Sequence, residues 1–329
     1  MGVVLLTSIR DVARLAEVSP ATVSRVINGT ANVDDEKKQR VLKVIKETGF
    51  VPNEVARSLF KRSAKIIGLI VPSIDNPFFT QMASAIEKEA DEHGFRLLLC
   101  NTGHNPEKEK SMIQMLMSMN ADGIIVTTSN EEIMPLIESS QIPIVTTDRR
   151  PLHGTNCSYI HCNHYDGGRL AMQHLMDCGC KNVVCIKGPQ DISSAKERYE
   201  GYRDVCNDNG ITEMTVCCDY EFNEGLAVTE ELLEKYPHTD GIIACNDMVA
   251  VSVYKVLHNK GIEVPDKIQI IGFDDIAMAS LMTPELTTIA QPITEMGVKA
   301  ARLITDCNKK NEEYIFPAQL IKRETTKYS

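Results

Sequence analysis

From Ser8 onward the apolar positions Val12, Leu15 and Ala16 recur at helical spacing behind a serine that can cap a helix N-terminus, which predicts a first helix. Glu17-Val18-Ser19 interrupts that pattern. Ser19 offers the next N-cap and Pro20 stands where a missing N–H costs nothing, so a second helix begins there. Its buried stripe is Val23, Val26 and Ile27, which leaves Ala21, Thr22, Arg25 and Asn28 facing outward. A third helix carries Val33-Asp34-Asp35-Glu36 at its start, an apolar face of Val41, Val44 and Ile45, and Gly49 as its stop. Phe50 to Leu59 follows as a Pro52-initiated helix too short to be stable without a partner. Beyond Lys65 the pattern changes to continuous apolar runs: IIGLIV (66–71), RLLLC (96–100), GIIVT (123–127), IPIVT (142–146), NVVCI (182–186), GIIAC (241–245) and IQIIGF (268–273), separated by amphipathic stretches. Strands of this kind are covered on both faces in parallel sheets, and two such series over residues 65–329 predict two α/β subdomains.

Two short helices joined by a three-residue turn form a helix-turn-helix, whose second helix fits the major groove of DNA. Ser19, Thr22, Ser24 and Asn28 have the size to donate to phosphates, Arg25 can reach guanine O6 and N7 together, and Pro20 and Ala21 offer apolar contact only. The charge distribution points the same way. The 329-residue chain has a net charge of −10, yet residues 1–62 hold eleven Lys/Arg against seven Asp/Glu. A basic head on an acidic body suits a protein that touches a polyanion with one end. Hydrophobic residues at 43 % and charged residues at 24 % are ordinary globular values, and no apolar run approaches the roughly 18–20 residues of a membrane span. Residues 1–7 lack a basic n-region, so a cytoplasmic protein is expected. Eleven cysteines without a CxxC fit reduced thiols. Cys157, His161, Cys162 and His164 match no zinc spacing; the expectation is a strand end with buried thiols and solvated histidines, and neither metal nor cofactor.

In open α/β sheets ligands sit beyond the carboxyl ends of the strands, so the polar and aromatic residues after the apolar runs are informative. They are Asn76, Phe78 and Phe79; Asp148 and Arg149; Arg198 in SSAKERYEGY; Asp219-Tyr220; Asn246-Asp247; Asp274-Asp275; and Gln291. Asp, Asn, Arg and Gln present the paired donors and acceptors that vicinal hydroxyls need, while aromatic faces pack on the C–H side of a sugar ring. The set is that of a sugar site, although Asn76, Asp247 and Asp275 have the alternative of capping helices. No GxSxG elbow, P-loop, HExxH or strand-following GxGxxG exists, which excludes the enzyme classes those motifs mark.

SIRDVARLAEVSPATVSRVIN together with GFVPNEVARSL closely resembles the headpiece and hinge helix of the lactose repressor (LacI/GalR) family of bacterial regulators. The resemblance implies a headpiece over 1–49, a hinge helix and linker over 50–62, and an effector-binding and dimerisation body over 63–329. It implies a homodimer on pseudo-palindromic double-stranded operator DNA, with paired hinge helices inserting Leu59 as a wedge in the minor groove. Ser8, Asn32, Asn53 and Ala56 complete the DNA-contacting set. Glu17 departs from the family, which usually has Gly at that turn position. Over the body the resemblance implies a periplasmic-binding-protein-like pair of doubly wound, parallel-sheet lobes, with the chain crossing near 161, 291 and 321. Asn76, Phe78, Phe79, Asp148, Arg149, Arg198, Tyr220, Asn246, Asp274 and Gln291 fall on the family's sugar-contacting positions. DYEFNEG and DDIAMASLMTPELTTIAQP look like ribose-responsive members. The implied function is a repressor, not an enzyme, controlled by ribose. The alternatives are a catabolite-control-type regulator answering a phosphoprotein, or one answering another sugar or a nucleoside; Ile192 stands where purine-binding relatives want a polar partner.

Overall fold

Ser8 and Asp11 bond reciprocally at the start of the first helix, Ser8 N donating to Asp11 Oδ2 at 3.0 Å and Asp11 N to Ser8 Oγ at 3.3 Å. This capping box opens α1 (Ile9–Leu15), followed by α2 (Pro20–Asn28) behind an Ser19 cap and α3 (Asp35–Thr48) behind Asp34. The computed structural model describes residues 8–29, 32–51, 63–150, 157–306 and 311–327. The chain divides into two units, 1–64 and 65–329. Val12, Ala13, Ala16, Val23 and Val41 are the buried centre of the first unit, with Val26, Ile27, Val44 and Ile45 packed around them. Leu15, expected inside, is 55 % exposed. It lies on the far side of Val12 from Ala13, and Ala13 takes the inward place because α1 meets its partners through its small residues. Glu17 ends α1 in the left-handed region at φ 55°.

Among the described residues the second unit holds two six-stranded sheets. The first has the order β11-β5-β4-β3-β1-β2, formed by β1 (Ile66–Val71), β2 (Arg96–Asn101), β3 (Gly123–Val126), β4 (Ile144–Thr147), β5 (Ser158–Cys162) and β11 (Glu313–Phe316). The second has the order β12-β10-β9-β8-β6-β7, formed by β6 (Val183–Lys187), β7 (Met214–Cys217), β8 (Gly241–Ile243), β9 (Gln269–Asp274), β10 (Thr287–Ala290) and β12 (Gln319–Ile321). All pairings are parallel except β10 with β12.

Alternation along the strands explains the two-sided cover. Ile67, Leu69 and Val71 face α4 (Pro77–Glu92) and α11 (Ile293–Thr305), while Ile70, Ile124 and Val126 face α5 (Pro106–Ser118) and α6 (Met134–Glu138). In the second lobe Val184, Ile186 and Ile270 pack on α9 (Phe222–Lys235) and α10 (Asp247–Asn259), and Val183, Ile271 and Phe273 on α7 (His164–Asp177) and α8 (Ser193–Asp208). The chain crosses between lobes after Cys162, after Ala290 and between Phe316 and Gln319. The third crossing thus precedes the expected position 321, which ends β12. His161 and His164, expected in solvent, are 2 % and 0 % exposed. His161 is stacked on Tyr159 and bonded to Glu313, so burial holds its pKa down despite that carboxylate. Among the described residues no group of three or more His, Cys, Asp or Glu side chains is arranged to hold a metal ion.

Candidate functional site

The ten residues chosen as effector contacts line one cavity of about 120 Å³. Asn76 follows β1 and caps α4, its Oδ1 accepting from Phe78 N at 3.0 Å, so capping and lining are the same placement. Phe78 and Phe79 meet edge to face at 5.1 Å. Asp148 and Arg149 follow β4, and Asp148 takes a left-handed φ of 64° that turns its side chain towards the second lobe. From that lobe come Arg198 on α8, Tyr220 ahead of α9, Asn246 as the cap of α10, Asp274 at the end of β9, and Gln291 at a crossover. Asn246 Oδ1 accepts from Val249 N at 2.8 Å. Gly188 leaves room for the Tyr220 ring, which a Cβ there would meet at 2.6 Å.

A buried polar chain runs beneath these groups. Arg198 donates through Nη1 to the Cys245 carbonyl at 2.7 Å, through Nη2 to Asp274 Oδ1 at 3.2 Å and through Nε to His164 Nδ1 at 3.3 Å, with its guanidinium 3.7 Å from the Phe273 ring centre. Gln291 Nε2 donates to the same Asp274 Oδ1 at 2.7 Å. Burial pushes the Asp274 carboxyl up to about 6 against the opposing pull of Arg198 and Gln291. Asp148 is equally buried, yet His164, Arg198 and Arg149 outweigh desolvation and hold it well below the usual carboxylate range. Asp148 Oδ1, Arg149 Nε and Gln291 Oε1 are closed off from solvent without a hydrogen-bond partner. Asp247 lies outside this set. Its carboxylate accepts from Ile276 N at 2.8 Å and Thr288 Oγ1 at 2.6 Å, a structural tie between α10 and the sheet, while Asp275 pairs with Arg323 at 2.7 Å.

An outer chamber of about 680 Å³ shares His104, Arg149, Tyr220 and Glu221 with the inner cavity. Its wall carries Glu109, Glu131, Glu132, Asp191 and Asp219, together with Ile192.

In the first unit, the hydroxyls expected to donate to phosphates already have local partners. Ser8 and Ser19 cap α1 and α2, Ser19 Oγ meets Thr22 Oγ1 at 2.9 Å, and Asn28 Nδ2 donates to the Ser24 carbonyl at 2.8 Å. A hydroxyl that accepts a capping bond keeps its own proton to donate. Pro20, Ala21, Arg25 and Asn32 are exposed. Asn53, Ala56 and Leu59 lie outside the described residues.

Residues 8–53 match the bacterial regulatory proteins of the lacI family, and residues 64–324 match the periplasmic binding proteins and sugar binding domain of that family. The chain belongs to the LacI family. A LacI-family relative, the ribose operon repressor of Halalkalibacterium halodurans, is 40 % identical over 98 % of both chains. Among solved LacI-family structures, the Lac repressor dimer bound to operator and the anti-inducer ONPF is similar at TM-score 0.85 and 25 % identity, covering 97 % of this chain and 98 % of that one. A LacI-family regulator from Enterococcus faecium with bound ribose is similar at TM-score 0.72 and 28 % identity, over 79 % of this chain and 98 % of that one. As in the family pattern, head and body are separate units of one chain, a DNA-binding element followed by a two-lobed sugar-binding fold. Sequence reasoning missed Ser194, whose Oγ donates to Asp148 Oδ2 at 3.3 Å, and His164 behind it. The available signal for His164 was its place just ahead of Gly167-Gly168, a glycine pair that marks a close helix approach.

Proposed function

We propose that this LacI-family chain is a homodimeric repressor that reads a pseudo-palindromic operator through α2 and is induced by ribose seated between the two lobes. The observation that carries this reading is the convergence of ten polar and aromatic side chains from both lobes on one small cavity. At about 120 Å³ it is far smaller than the roughly 300–1,000 Å³ of drug-sized pockets, which suits a monosaccharide. Acceptors at Asp148 and Asp274, donors at Arg149 and Arg198, and the faces of Phe78 and Phe79 are the chemistry a pentose requires. The ribose operon repressor named among its relatives and the ribose in its structural neighbour agree with that choice. Ile192, on the wall of the outer chamber, itself offers a nucleobase no hydrogen bond.

Control follows from differential affinity. Ribose must favour the lobe arrangement in which the hinge segments of residues 50–62 cannot pair on DNA; equal affinity for both arrangements shifts nothing. A coupling of about 1–3 kcal/mol is ordinary for such a link. Titration calorimetry with ribose, and gel shifts on operator with and without it, test the reading. Heat with ribose and release of DNA are expected. No heat, or release that answers only another sugar, a nucleoside or a phosphoprotein, overturns the ribose assignment. Arg25→Ala should weaken the preferred operator more than random DNA, and equal losses on both sink its base-reading role.

A further inference from the structure

His164 does not line the cavity, yet it stands between two residues that do. It is the first residue of α7, immediately after the chain leaves β5, and is fully buried. Asp148 belongs to the first lobe, its N–H bonded to the Ile160 carbonyl of β5, whereas Arg198 belongs to α8 of the second. His164 Nδ1 accepts the Arg198 Nε–H at 3.3 Å, which places the ring proton on Nε2. Nε2 in turn lies 3.4 Å from Asp148 Oδ1. That separation is at the long end of hydrogen-bonding distance, and the pair is not aligned as a bond. Both atoms are closed off from solvent, and neither has a hydrogen-bond partner among the described residues. A buried donor and a buried acceptor therefore face each other across the lobe boundary, close but not aligned for a bond.

We propose that His164 is a positioning residue of the effector site, tying Asp148 of the first lobe to Arg198 of the second, and that its Nε2–H aligns into a hydrogen bond to Asp148 Oδ1 when ribose occupies the cavity. The proposal rests on the ribose reading above. It explains the orphaned pair: misalignment leaves both atoms unsatisfied, so ordering the site around the sugar gains a bond that the ligand itself does not make. The remaining charged neighbours are consistent with a neutral ring. Desolvation, Arg198 and His161 oppose protonation, while Asp148 favours it, and the net direction is downward.

The test uses the full-length protein with ribose as probe. His164→Leu removes both ring nitrogens, and His164→Gln restores a donor at the Nε2 position. Calorimetry should show ribose affinity at least tenfold weaker in His164→Leu and largely recovered in His164→Gln. In wild type with 15N-labelled histidine, ribose should move the His164 Nε2–H proton resonance downfield and slow its exchange with water. Unchanged ribose affinity in His164→Leu, no recovery in a folded His164→Gln, or an unmoved Nε2–H resonance overturns the tie while leaving the ribose reading intact. No ribose heat in wild type overturns both.

Discussion

Single residues already carry opposing demands. Glu17 holds a left-handed φ of 55°, where a Cβ crowds the backbone by about 1–2 kcal/mol, and its pairing with Arg40 at 3.5 Å is exposed and worth little. Glu17→Gly is expected to stabilise the head by about 0.5–1 kcal/mol after allowing for the flexibility glycine adds to the unfolded chain. Calorimetry should show the head's unfolding several degrees higher; a fall counts against strain at this turn. Asp274 makes a different prediction. An unfolded aspartate titrates near ~3.9, so a carboxyl pushed up to about 6 is favoured in its protonated form by folding, and its contribution to stability falls as pH rises from about 4 to 6. Sugar binding has the opposite sign, because the charged form is the better acceptor. Ribose affinity should therefore weaken about tenfold from pH 8 to pH 5, while Asp148, held low, stays charged throughout. Asp274→Asn should bind ribose weakly at both pH values, and a flat wild-type profile would show that Asp274 does not titrate with binding. Asn76, Phe78, Asp148, Asn246 and Asp274 gather at one cavity because Asp, Asn and Phe after apolar runs mark strand ends. The exposure of Leu15 and the burial of His164 are not legible in the sequence, since neither is set by neighbours along the chain.

Between elements, the contact of α7 with α8 sets where Arg198 reaches. A Cβ on Gly168 would lie 2.0 Å from the Arg198 carbonyl oxygen, and one on Gly201 would lie 2.1 Å from that of Tyr165. Backbone on both sides leaves no soft atom to yield. Gly201→Ala should cost about 1–3 kcal/mol by overpacking and, by pushing α8 outward, also weaken ribose binding. Thermal unfolding and calorimetry on the same sample check both effects, and an unchanged melting point means the helices can separate freely. Strands were legible where both faces are aliphatic, as in IIGLIV and IQIIGF. They were not where buried polar groups are bonded across the lobe: Thr287 and Thr288 of β10 are fully buried, their hydroxyls bonded to Thr326 and Asp247. Short edge strands β11 and β12 give too few residues for a period to show.

At the scale of the whole molecule, charge around the cleft narrows the effector further. Among the described residues, five carboxylates line the outer chamber besides Glu221, against Arg149 as its one arginine. A phosphate bringing roughly −1.5 to −2 charges meets repulsion there, so ribose 5-phosphate should bind at least tenfold more weakly than ribose in paired titrations. Equal or tighter binding would make Arg149 a phosphate anchor instead. The three crossings have a consequence for how the protein is made. The first lobe is assembled from 65–162 and 293–316, with the second lobe spelled out between them. On the ribosome, chains grow from the N-terminus and domains fold as units when complete. Here the earlier lobe must wait for α11, whose Met296, Ala300 and Ile304 fill its core, until nearly all of the later lobe has been synthesised. During that interval the α11 seat on Ile67, Leu69 and Met82 stays open, so the nascent chain is at its stickiest just before its last turn of translation, when an apolar surface that the finished regulator hides is on offer to chaperones.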